Sequence, residues 1–501
     1  MVEWRGVRLC ISMIWVPLIF CSLVGFAQCS EWRLARNLDR VLKSSGLRRA
    51  FVGVMVEDLK TGRVLYSRNE DFLFIPASNE KLLTTTASLH WFGPDFTYCT
   101  QVYATGTVST DSALDGNLVV VGSGDPTFSE TFGINPDSVF SSWAESLKIR
   151  GVYRIAGSVV TDESLFDRER LGYGWDWHYL SYWYAAEVSA LSYNDNSVQI
   201  DVLPGDSVGA TASVLLSPRT SYAKLTGTVL TSSPGTGASV DIWRTPSTNE
   251  ICISGSLAVD QEMKSFRVSV SDPALFYAHR FTEILKENSI EVDGEPFVCD
   301  STPVSATLLF SHYSPELEST IGVTNKGSEN LSAEMLFKTM GAQAYGEGTF
   351  ENGARAVKSY LATIGIDTSR CISVDGSGLS RRNLVSPRAL VKLLHANFTG
   401  GALTNSLPVS GSAGTLESRM EREPLAGRVY AKTGTLDQTS ALSGYVMALS
   451  GRPVAFALMT NHFVEEIGMI KSLEDEVCRA LVHYSPRSFG PKGGRHRGKV
   501  R

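Results

Sequence analysis

The sequence predicts an α+β protein in which a body assembled from both ends of the chain is interrupted by a large β-rich insertion. Helical spacing and strand-like runs mix near the N-terminus, and the same mixture returns from Leu331 to Tyr484. Between about Tyr98 and Pro303 the texture changes to short Val- and Thr-rich runs separated by Gly, Asp, Asn and Pro. At 501 residues and 43% hydrophobic, the chain holds enough apolar material for more than one core.

Taken in order, residues 31–45 place Trp32, Leu34, Leu38, Val41 and Leu42 at helical spacing. Two strands follow, Phe51–Val56 and Val64–Ser67, joined by a tight turn at Gly62. Ala77–Phe92 reads as a helix with Ser78 at its N-terminus and Leu82, Leu83, Ala87 and Leu89 available for burial. In the β-rich middle, Leu118–Val121, Ser158–Thr161 and Ser197–Val202 read as strands, with helical patterns at Ser138–Ile149 and Pro273–Asn288. Helices are expected again at Leu331–Tyr345, Ala354–Ile364 and Pro387–Asn397, then three strands from Val429 and a last helix, Val464–Tyr484. The expected plan is an outer domain of residues 31–96 plus 305–486, a β-rich insertion at 97–304 and a Gly- and Arg-rich disordered tail at 487–501.

Residues 1–27 read as an export signal. Arg5 and Arg8 precede an apolar stretch from Leu9 to Ala27, and Gly25 and Ala27 suit cleavage before Gln28. The alternative is an uncleaved membrane anchor. Gln28 stands where lipid attachment wants a small residue, so Cys29 is not read as a lipidation site. An exported protein, periplasmic or on the outside of the envelope, is expected. The net charge of −6 conceals six basic residues in the tail; residues 28–486 carry 38 basic against 51 acidic side chains, a balance that argues against nucleic-acid binding. The six cysteines after residue 27 form no C-x-x-C pair, which removes zinc ribbons and thioredoxin-like chemistry; pairing and burial as free thiols are equally open.

Hydrolysis needs a metal or an activated nucleophile. Among eight histidines no two are four apart, H-E-x-x-H is absent, and no G-x-S-x-G elbow occurs. Serine chemistry with lysine as base remains. Ser78-Asn-Glu-Lys81 puts both side chains on one helical face a turn apart, at a helix N-terminus that favours negative charge on the serine oxygen. Ser221-Tyr-Ala-Lys224 also fits S-x-x-K, but Thr- and Val-rich sequence follows it, poor for a helix. Ser-x-Asn occurs at Ser67, Ser192, Ser247 and Ser328; only Ser328-Glu-Asn330 falls in a Gly-preceded loop just before a helix. Of two Lys-Thr-Gly triplets, Lys60 sits at the hairpin turn, whereas Lys432-Thr433-Gly434-Thr435 lies in a strand whose glycine lets a ligand approach the backbone.

The surviving set, in the order Ser78-x-x-Lys81, Ser328-x-Asn330, Lys432-Thr-Gly434, resembles the active site of penicillin-recognising serine acyltransferases. More specifically it resembles the low-molecular-mass class C penicillin-binding proteins, the D-alanyl-D-alanine carboxypeptidase/endopeptidases of the penicillin-binding protein 4 (DacB) type, peptidase family S13. In that group a large insertion parts the first two motifs, and here 250 positions separate Ser78 from Ser328. Gly122–Pro126, Ala190–Asn196, Asp375–Arg381 and Leu442–Tyr445 look like the same family, and Glu329 departs from the aspartate common at its position.

The resemblance implies a β-lactamase/transpeptidase-like domain, an antiparallel sheet flanked by helices, and a serine carboxypeptidase acting on peptidoglycan stems that end in D-Ala-D-Ala. It implies no cofactor or metal, and β-lactams as covalent inhibitors. Ser78 would be acylated, Lys81 would take its proton, Ser328 and Asn330 would complete the proton path and hold the substrate amide, and Lys432 would supply positive charge. The Ser78 and Thr435 amides would form the oxyanion hole, and Thr433 and Thr435, with Gly434 between them, would bind the substrate carboxylate. Asp162 and Arg381 would read the diamino acid of the stem. The rivals are a serine β-lactamase, which needs a water-activating carboxylate, and an idle wall-binding protein, whose usual mark is loss of Ser78, Lys81 or Lys432.

Overall fold

The computed structural model describes residues 32–43, 47, 49–398 and 401–486; the expected signal, Cys29 and the basic tail lie outside them. Five antiparallel strands form the central sheet in the order Val429–Leu436, Thr439–Met447, Pro453–Asn461, Phe51–Asp58, Arg63–Arg68. The N-terminal strand Phe51–Asp58 pairs along its whole length with Pro453–Asn461, so the two ends of the chain share one sheet.

Alternation along these strands feeds two cores. Val52, Val54, Val56, Phe456 and Leu458 pack with the helices 32–43 and Ile467–Val482 on one face. Met55, Ala455, Ala457 and Met459 meet the helices Glu80–Phe92, Asn330–Tyr345, Phe350–Thr363 and Pro387–Asn397 on the other. In the edge strand Val429 and Ala431 belong to the first face, which turns Tyr430, Lys432 and Gly434 toward the second, where the Ser78 segment lies.

The insertion has its own core of aromatic and aliphatic side chains, built around the helices Pro136–Ile149 and Pro273–Glu287. Its largest sheet runs Phe297–Cys299, Val159–Asp162, Leu118–Val121, Cys99–Ala104, Thr307–Tyr313. Because Thr307–Tyr313 pairs with Cys99–Ala104, the insertion's sheet takes in residues beyond the boundary expected at 304.

The helix Leu317–Gly327 has no counterpart among the expected elements. Its Thr, Ile, Val and Gly residues are weak helix formers. Leu317 and Ile321 are fully buried against Tyr98 and Leu336. Burying each such side chain contributes about 1.5–3 kcal/mol, which outweighs propensity differences of a few tenths.

Candidate active site

Ser78 occupies a short 3-10 turn, Ala77–Asn79, from which the α-helix Glu80–Phe92 continues, so Lys81 falls one turn later on the same face. Ala77 holds a left-handed φ of 47°, an unfavourable conformation for a residue with a Cβ and one that places the turn under strain next to the serine. Lys81 is completely buried, and its Nζ lies 3.2 Å from Ser78 Oγ, 2.6 Å from Asn330 Oδ1 and 2.8 Å from the Ser377 carbonyl. These three oxygens come from three different stretches of the chain and converge on one nitrogen.

Burial pushes the Lys81 ammonium down to about 8, although Glu334, Asp375, Glu329 and Glu80 all pull the other way. Glu334 is itself buried and raised to about 8, chiefly by desolvation and then by Asp375; its carboxylate accepts from the amides of Gly376 and Ser377 at 2.7 and 2.8 Å. Those bonds aim the Ser377 carbonyl at Lys81. Asp375 ties the same loop by accepting from the amides of Gly378 and Ser380, from Asn383 and from Trp175 of the insertion.

Ser328 caps the helix Leu317–Gly327 in a left-handed conformation, φ 62° and ψ 38°, and that reversal brings it to the cleft wall. Asn330 opens the next helix and donates its Nδ2 to the Tyr184 carbonyl at 2.7 Å, which turns Oδ1 toward Lys81. Lys432 is fully buried, and its Nζ donates to the Thr433 carbonyl at 3.0 Å. Burial drives it well below the usual lysine range, and the neighbouring Lys81 charge acts in the same direction. Gly434 is required: a Cβ there would stand 2.7 Å from the Pro76 carbonyl and 3.0 Å from the Ser78 amide nitrogen. The strand therefore passes directly beside the amide of the serine. Thr433 meets Thr415, hydroxyl to hydroxyl, at 2.7 Å.

These elements enclose a cleft of about 780 Å³, with Ser78, Ser328, Asn330 and Thr435 among its lining residues and with Tyr179, Trp183 and Tyr184 contributed by the insertion. All three catalytic motifs lie outside the insertion, and the aromatic wall it adds was not anticipated; its signal is the density of aromatic residues between Trp175 and Tyr184. Nor was a role expected for the carbonyls of Ser377 and Tyr184. Arg381 lies near the cleft and donates to the carbonyl of Asp437, a lining residue, at 2.7 Å. Asp162 is 3% exposed at the end of a strand in the insertion, accepts from Thr302 Oγ1 at 2.6 Å and from the Ser164 amide at 3.0 Å, and does not line the cleft. The competing Ser221 is drawn to Glu283, while Lys224 starts a strand and faces Glu250 at 3.8 Å, so those two form no nucleophile and base pair.

Glu329, between Ser328 and Asn330, is raised to about 7 by burial and then by Asp195, with Arg267, Lys81 and Lys432 opposing. A base must be neutral to accept a proton, so acylation by a fluorescent penicillin is expected to rise with pH through a midpoint at about 8, where Lys81 is half deprotonated, and to level off above it. Glu329 holds the Lys81 proton on, and neutralising it in Glu329→Gln is expected to move that rise to lower pH. Stopped-flow acylation rates across pH 6 to 9.5, roughly spanning the titration, check both; a flat profile contradicts them.

Comparison with known proteins agrees with this geometry. Residues 34–476 match the D-Ala-D-Ala carboxypeptidase 3 (S13) family. A D-alanyl-D-alanine carboxypeptidase of Actinomadura sp. (strain R39) is 33% identical over an alignment covering 98% of this chain and 93% of that one. The D-alanyl-D-alanine carboxypeptidase DacB of Haemophilus influenzae is 27% identical, covering 82% and 85%. In three dimensions the chain is similar to the crystal structure of penicillin binding protein 4 (dacB) from Haemophilus influenzae, with a TM-score of 0.79 at 24% identity, over 89% of this chain and 100% of that one. That likeness carries the fold, an α+β β-lactamase/transpeptidase-like body with its insertion.

Proposed function

The chain belongs to the D-Ala-D-Ala carboxypeptidase 3 (S13) family, and from that membership we propose that it is a serine-type D-alanyl-D-alanine carboxypeptidase, also able to cut D-alanyl cross-links, that is blocked by penicillin. The observation that carries the reading is the buried Lys81 nitrogen 3.2 Å from Ser78 Oγ. A neutral amine has two N–H donors and one lone pair. With the donors spent on Asn330 and the Ser377 carbonyl, the lone pair is left for the Ser78 hydroxyl proton.

Ser78 Oγ attacks the carbonyl between the two terminal alanines as Lys81 takes its proton. The oxyanion is held by the amides of Ser78 and Thr435, a role supported by the passage of the Gly434 backbone beside the Ser78 amide. The amide C–N bond then breaks, the leaving amine takes a proton through Lys81 and Ser328, and water later releases the acyl group and restores the serine. Asn330 holds the substrate amide. Lys432, whose hold on its own proton is weakened by burial and then by the Lys81 charge, supplies positive potential when protonated near the Thr433 and Thr435 hydroxyls that receive the terminal carboxylate. Arg381, beside the cleft, reads the stem side chain. The reading includes export, since peptidoglycan lies outside the cytoplasmic membrane; among the described residues no helix is long and apolar enough to cross a membrane.

The test is incubation of the protein with a muropeptide ending in D-Ala-D-Ala and mass analysis of the products. Loss of one alanine, abolished by preincubation with penicillin, is expected. A protein that leaves the peptide intact and hydrolyses penicillin with rapid turnover would be a β-lactamase instead.

A further inference from the structure

Gly327 lines the cleft and also a second cavity of about 590 Å³. The second cavity is formed mainly by the helix Leu317–Gly327, through Glu316 at its N-cap, Glu318, Gly322 and Lys326, with Asn405 from the helix Ala402–Ser406 and Thr131 from the insertion. It therefore draws walls from the catalytic body and from the insertion, as the cleft does. At Gly322 an added Cβ would meet nothing within 4 Å, so this helix face is open to the cavity although the helix is packed on its other side through Leu317 and Ile321. The lining is of mixed charge, two carboxylates and one ammonium, and otherwise uncharged.

The two substrates of the proposed reaction differ on the amine side of the scissile bond. A pentapeptide stem releases a single D-alanine, whereas a cross-linked dimer releases a whole second stem, a peptide bearing both amino and carboxylate groups. The second stem needs a surface that the first substrate never touches. We infer that the cavity beyond Gly327 is the binding site for that second stem, with Glu316 and Glu318 accepting from its amide N–H groups and Lys326 facing a carboxylate. This rests on the proposed function of the Ser78 cleft. The bond changes are those of the carboxypeptidase: the acyl carbon passes to Ser78 Oγ, the C–N bond breaks, the second stem departs as a protonated amine, and water then frees the first stem as a carboxylate.

Gly322→Phe fills the cavity from a position with space for a side chain, and Glu318→Lys reverses one exposed charge. Each is assayed against a pentapeptide muropeptide, its cross-linked dimer and a fluorescent penicillin. The expected result is a fall of about tenfold or more in kcat/KM for the dimer, expressed in KM, with pentapeptide hydrolysis and penicillin acylation within about twofold of wild type. A variant that still reacts with penicillin and cuts the dimer as wild type does overturns the inference. If Gly322→Phe loses penicillin acylation as well, Glu318→Lys decides by the same criteria. Wild-type protein that trims the pentapeptide but never cuts the dimer also overturns it while leaving the carboxypeptidase standing; failure on both substrates instead removes the reading on which it rests.

Discussion

Ser78→Ala is expected to abolish covalent labelling by fluorescent penicillin, while Ser221→Ala labels like wild type. Both serines begin an S-x-x-K sequence, so the pair separates local motif from three-dimensional site. Ser78 has Lys81 at 3.2 Å and lines the cleft, whereas Ser221 is bound to Glu283 and its lysine faces Glu250. Removing Ser78 leaves no atom to carry the acyl group, so the loss is of the reaction itself; loss of the nucleophile in a serine hydrolase costs on the order of a millionfold in turnover. The substitution deletes one hydroxyl at the cleft surface, and the fold should survive it. Labelling of Ser78→Ala at the wild-type level would remove the serine from its role.

Lys81→Arg is expected to slow acylation by about 10²–10⁴-fold, equivalent to about 3–5 kcal/mol of barrier. Arginine keeps the positive charge and donors toward Asn330 and Ser377, but it does not shed a proton in a protein and offers no lone pair. The guanidinium is also larger, and Lys81 is fully buried, so thermal unfolding measured beside the acylation rate distinguishes lost chemistry from lost packing. A variant that melts near the wild-type temperature yet acylates at the wild-type rate would exclude lysine as the base. No histidine lines the cleft to substitute for it.

The central sheet and the three motifs were legible in the sequence for physical reasons that are local. Strands such as Val429–Leu436 and Pro453–Asn461 are short apolar runs bounded by turn residues, and Lys81 follows Ser78 by one helical turn. The helix Leu317–Gly327 was not legible, because β-branched residues and glycines form it only once Leu317 and Ile321 find Tyr98 and Leu336. The oxygens that complete the Lys81 environment were equally hidden. The Ser377 carbonyl is 296 residues from Lys81 in sequence, and the Tyr184 carbonyl that orients Asn330 is 146 residues from it; backbone carbonyls carry no residue signature. Asp162 was singled out by resemblance alone, and its partners Thr302 and Ser164, the first 140 residues away, were not legible from the sequence. Lys432 was legible as a charge, yet its complete burial and the lowering of its proton affinity by burial and by Lys81 emerge only when the edge strand lies against the Ser78 turn.

Every step of the reaction passes through one bond, the ester between Ser78 Oγ and an acyl group. Trapping the protein with penicillin, digesting it and locating the adduct by tandem mass spectrometry tests that bond directly. The predicted result is a mass increase of one intact penicillin, confined to the peptide that contains Ser78 and absent when excess D-Ala-D-Ala peptide substrate competes. An adduct on the peptide containing Ser221 or Ser328, or a protein that trims the pentapeptide while forming no adduct at all, would contradict it.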